Sequence, residues 1–114
     1  MDLLKREKVK PDREHLIFVA SLPCVITYAE FDVQSHHLLR DIMGRIVRGT
    51  GKKAEDCFIV PLWHVKHTEL HMDGNETRYL AEHGIYHPVE LALTLHKHTG
   101  DREFCEKLIR EWKV

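Results

Sequence analysis

The chain has 114 residues, with 17 basic and 18 acidic side chains and a formal net charge of −1. That length suits one domain, residues 1–114, with one modest core; 43% hydrophobic and 31% charged residues exclude a disordered chain. The longest apolar runs, such as LIFVA at 16–20, are too short to cross a bilayer, and the charged opening MDLLKREKVKPDRE has no secretory apolar region.

Residues 1–13 read as a charged lead-in ending near Pro11. HLIFVASL, 15–22, is a short apolar element of open type that stops at Pro23. CVITYAEFDVQ, 24–34, is β-branched and aromatic and predicts extended structure leading into SHHLL. The Gly-punctuated segment 44–54 predicts a loop. RDIMGRIVRGTGKK, 40–53, carries Arg40, Arg45, Arg48, Lys52 and Lys53 against one acid, Asp41. Such a patch is enough to meet a phosphate backbone, although a solvated loop has the same composition. It is no P-loop, because Ile46 and Lys53 stand where that motif needs Gly and Ser/Thr.

CFIVPLW, 57–63, predicts a second short strand, and after it the period changes. His64, His67 and His71 recur at helical spacing until MDGN, where Gly74 is a natural residue just beyond a helix end. Asn75 caps a short helix closed by Gly84. HPVELALTLHKH, with Pro88 in its first turn, and DREFCEKLIREWKV, capped by Asp101, predict two more. The three cysteines, Cys24, Cys57 and Cys105, contain no CxxC pair, so neither a disulfide framework nor a complete zinc knuckle is legible. The expectation is a cytoplasmic protein with no membrane partner.

The chemistry rests on the histidines, ten in all. His67 and His71 lie four apart, so a helix presents both imidazoles on one face, as a metal ion requires. The zinc-protease motif H-E-x-x-H fails, since H-T-E-L-H puts Glu69 on the wrong side. His36 and His37 are adjacent in a strand and point to opposite faces, so both do not bind one ion. They can divide the work, one as ligand and its neighbour as base; the plain alternative is one core histidine and one solvated one. Glu69 and Asp73 are the acids near enough in sequence to support a ligand imidazole. His83, His87, His96 and His98 read as structural or surface residues; His64 could compete as a ligand but reads as a residue of the first helical turn that is partly exposed or contacts a phosphate.

A strand ending in HH, a basic Gly-rich loop, D-x-F-x-V-P-L, then H-x-x-x-H on a helix resembles the HNH (ββα-metal) endonuclease core. SLPCVITYAEFDVQSHHLL followed by GTGKKAEDCFIVPLWHVKHTELHMDGNETRYLAEHGI is similar to the phage and prophage branch related to the Ref recombination-enhancing nucleases. The resemblance spans about residues 15–86. It implies an α+β fold, a ββα-metal core followed by a helical tail over about 88–112.

The same resemblance implies His36, His67 and His71 as ligands of one divalent ion (Mg, Mn, Zn or Ni) and His37 as the base that deprotonates the attacking water. It implies DNA as partner, contacted by Arg45, Arg48, Lys52 and Lys53, with a recombinase as a further partner. Two places depart from the pattern. Cys24 stands, but Thr27, Trp63 and Lys66 occupy the other positions of the structural zinc site many such proteins carry, so no structural zinc is expected. Phe58 falls near the place of the middle Asn, which in that family orients the base. The first reading is therefore a DNA endonuclease of low sequence specificity. The second is a non-catalytic DNA-binding module on the same scaffold, and the third a metal-binding regulatory or assembly protein.

Overall fold

The computed structural model describes residues 12–39 and 56–114. Their elements are α1 (Arg13–Ala20), β1 (Val33–His37), β2 (Ile59–Trp63), α2 (His64–Asp73), α3 (Glu76–Glu82), α4 (Pro88–Lys97) and α5 (Arg102–Trp112). The described part is thus mixed α+β: five helices and one two-stranded antiparallel sheet. No helix among the described residues is long and apolar enough to cross a membrane.

The first apolar element is a helix. Asp12 caps α1, its side chain accepting from the His15 N–H at 3.1 Å, and this bond holds the Asp12 carboxyl below its ordinary range. The predicted extended stretch 24–34 is corrected in its larger part: the strand begins only at Val33. Upstream, Cys24 organises a turn, its Sγ accepting from the Ile26 and Thr27 N–H groups at 3.4 Å each. The Cys24 carbonyl takes the Tyr28 N–H at 2.8 Å, and Tyr28 adopts a left-handed φ of 63°. Val25 and Ile26 therefore pack into the core from a turn while Thr27 stays exposed, and the Val25 N–H reaches across to the Pro61 carbonyl at 3.1 Å. Packing outweighs strand propensity here.

The register pairs Val33 with Trp63, His36 with Val60 and His37 with Ile59. Side chains alternate across β1. Gln34 and His36 face α2, whereas Ser35 and His37 face α1, with the Ser35 hydroxyl donating to the Leu16 carbonyl at 2.8 Å. α4 packs on β2, α3 on α2 and α5 on α4. The core gathers Leu22, Val60, Leu62, Leu80, Leu91 and Leu95 between these layers.

Gly74 ends α2 with a left-handed φ of 80°, and Asn75 restarts the chain as the cap of α3 by accepting from the Arg78 N–H at 3.1 Å. This reversal, two residues long, drops the start of α3 beneath the end of β1.

His15, fully buried, is bonded through Nδ1 to the Thr99 hydroxyl at 2.8 Å and packs edge-on against His96, while its Nε2 has no partner among the described residues. Burial, helped by the neighbouring His96 and opposed by Asp12 and Asp56, pushes its pKa from 6.5 down to about 4. Between those values the unfolded chain takes up a proton that the folded chain refuses, so acidification favours unfolding by up to about 3 kcal/mol. Denaturant melts at pH 7 and pH 4.5 are expected to show stability lost on acidification, with a smaller loss in His15→Phe. An equally steep dependence in that variant would count against the assignment.

Candidate metal centre

Three imidazoles meet between β1 and α2. The ring nitrogens of His36, His67 and His71 offer one ligand atom each, all within 4.8 Å of one another. His36 comes from the buried face of β1, and His67 and His71 from successive turns of α2. The rings of His36 and His67 are 4.9 Å apart, those of His36 and His71 5.6 Å. The group runs from buried His36 through half-buried His67 to exposed His71, so it opens to solvent on one side.

The hydrogen bonds assign the nitrogens. The Glu76 carboxylate sits 2.6 Å from His36 Nε2 and can only accept, which puts the ring proton on Nε2 and the lone pair on Nδ1. That Nδ1 is buried without a hydrogen-bond partner among the described residues. An orphaned buried acceptor costs about 1–3 kcal/mol, a cost an ion would remove. The other Glu76 oxygen accepts the Leu39 N–H at 2.8 Å, so the carboxylate is clamped from two directions. His67 Nδ1 donates to Gln34 Oε1 at 2.6 Å, leaving its Nε2 as an acceptor only 3.0 Å from His71 Nε2.

Two nitrogens at about 2.1 Å from a shared tetrahedral ion lie about 3.4 Å apart, so an ion would draw the rings in from their 4.8 Å spread. The residues fit a divalent transition metal, and three imidazoles favour Zn or Ni over Mg. Glu76 and Gln34 are the outer carboxylate and amide that orient ligand rings in such sites.

Sequence reasoning singles out neither of these two. Glu69 and Asp73, the acids expected in that role, are engaged elsewhere. Glu69 accepts from Lys66 at 3.0 Å and from the Tyr79 hydroxyl at 2.8 Å, and those bonds lower its pKa. Asp73 accepts from Arg78 at 3.0 Å. Gln34 was findable, standing two residues before His36 on the same strand face. Glu76 was not, because its reach depends on the turn at Gly74.

His37, the residue expected as base, closes β1 on the opposite face with a quarter of its side chain exposed, its Nε2 2.8 Å from Asp56 Oδ1. Arg45, Arg48, Lys52 and Lys53, expected to contact DNA, lie outside the described residues. His64 opens α2, exposed and apart from the trio. At two of the positions that the resemblance matches to structural-zinc ligands, Trp63 packs on the core and against Phe31, and Lys66 pairs with Glu69. Phe58 gives its carbonyl to the Leu38 N–H at 2.8 Å.

Calorimetric titration with Zn²⁺ is expected to show one ion per chain. Glu76→Gln weakens it by about 10–100-fold, as loss of an outer carboxylate does, and His67→Ala abolishes it. Full affinity in His67→Ala would overturn the site.

With the geometry in place, comparison with known proteins adds one finding. The model of the family described as "Protein of unknown function (DUF968)" matches residues 1–99. No curated protein and no solved structure matches the chain. Since the match spans most of its length, the chain belongs to the DUF968 family.

Proposed function

We propose that this chain is a metal-dependent DNA endonuclease of the HNH (ββα-metal) type, cutting phosphodiester bonds with low sequence specificity in phage or prophage DNA processing. The observation that carries the reading is the division of labour at the end of β1. His36 turns inward to join His67 and His71, with an orphaned Nδ1 aimed for an ion. Its neighbour His37, last in the strand, turns outward with a carboxylate at its back. In this reading a phosphodiester crosses the strand end between the two faces.

His36, His67 and His71 would hold a divalent ion, which when bound would supply Lewis-acid stabilisation of the charge that builds on the scissile phosphate. His37 acts as general base. It takes a proton from water, the resulting hydroxide adds to phosphorus, and the P–O3′ bond breaks. The departing 3′ oxygen takes a proton from solvent, leaving 5′-phosphate and 3′-hydroxyl ends. His37 then returns its proton to solvent. In this reading Arg45, Arg48, Lys52 and Lys53 bind flanking phosphates without reading bases, which makes binding salt-dependent. A recombinase would then supply the DNA structure to be cut.

Supercoiled plasmid and single-stranded DNA, incubated with Mg, Mn, Zn or Ni, test the proposal. Cleavage that EDTA abolishes is expected, falling about 10²–10⁴-fold in His37→Ala, the contribution of a general base. DNA binding without cleavage by the metal-loaded wild type would instead favour a non-catalytic binding module. Equal cleavage by wild type and His37→Ala would remove His37 from the base role.

A further inference from the structure

We infer that Asp56 is the positioning residue of His37, the role that Phe58 at the family's usual place cannot fill. The catalytic meaning of this assignment rests on the nuclease reading above; its structural content does not.

The Asp56 carboxylate uses both oxygens. Oδ1 lies 2.8 Å from His37 Nε2, and Oδ2 accepts the Asp12 backbone N–H at 2.6 Å. Its side chain is only 10% exposed, so water competes poorly for either contact. A carboxylate can only accept, so Nε2 carries the ring proton and the lone pair is on Nδ1. The tautomer of His37 is thereby fixed by a group two residues before Phe58.

The anchor behind Asp56 is itself held. Asp12 caps α1, accepting the His15 N–H through Oδ1, while its Oδ2 faces His96 Nε2 of α4 at 3.3 Å. The positive end of the α1 dipole favours the carboxylate placed beside it. One face of β1 is also tied to α1 through Ser35 and the Leu16 carbonyl. His37 is therefore aimed by β1, α1 and α4 together. This is what a base requires if its nitrogen is to meet a water in one orientation, since small misplacement of a catalytic group is costly. The serine-protease triad also places a carboxylate behind a histidine. There, exchanging the acid for its amide leaves geometry intact but presents the wrong tautomer.

The test is long-range ¹H–¹⁵N NMR of the zinc-loaded full chain at pH 8, reading the His37 ring nitrogens in wild type and Asp56→Asn. The wild type is expected to show a protonated Nε2 and an unprotonated Nδ1, and the variant a mixture of tautomers. In the cleavage assay Asp56→Asn is expected to lose at least about tenfold in kcat with KM and zinc affinity unchanged. A wild-type His37 protonated on Nδ1 overturns the inference without recourse to any variant. So does an Asp56→Asn protein with the wild-type tautomer and kcat. If the wild type cleaves no DNA, the nuclease reading falls while the spectrum still decides whether Asp56 sets the ring.

Discussion

A histidine ring buried to 2% exposure near the end of a two-stranded sheet sets the terms for everything around it. His36 is held there by Glu76, which lies 40 positions later in the chain and reaches it only because Gly74 and Asn75 reverse the path between two helices. One ring nitrogen is satisfied and the other has no partner among the described residues. A polar ring placed in this way is costly unless something accepts its lone pair, and the groups that converge with it are two more imidazoles from α2. Core packing alone does not explain His36; a bound ion at the three imidazoles would.

The alternation of β1 separates two sets of contacts. Its α2 face carries Gln34 and His36, a ring and the amide that orients a second ring. Its α1 face carries Ser35, bonded to the Leu16 carbonyl of α1, and His37, whose contacts run through Asp56 and Asp12 to His15 and His96. Among the described residues the two networks share the strand but no side chain. Each can therefore be perturbed separately, which is why metal affinity and ring tautomer serve as independent observables.

Much of the frame was legible because its signals are local. The period of His64, His67 and His71, the stop at Gly74, and the caps Asn75 and Asp101 act within a turn or two of themselves. What escaped was what depends on distant partners. Val25, Ile26 and Thr27 look like a strand by composition, yet the Cys24 sulfur and the Pro61 carbonyl hold them in a turn. The type of α1 stayed open because a short apolar run suits helix and strand alike. At the site, spacing and resemblance name the three histidines that the structure brings together. They do not name the supports: Glu76 needs the angle between α2 and α3, and Asp56 meets His37 only in the register that sets His37 opposite Ile59. Helix spacing shows which side chains share a face, but not what comes to meet that face.

The most direct test of the His36–His67–His71 centre is X-ray absorption at the zinc edge of the zinc-loaded protein. Three imidazole nitrogens at about 2.0–2.1 Å are expected, with the outer-shell scattering that rings produce. A first shell of oxygen atoms alone, or one containing cysteine sulfur, would contradict it.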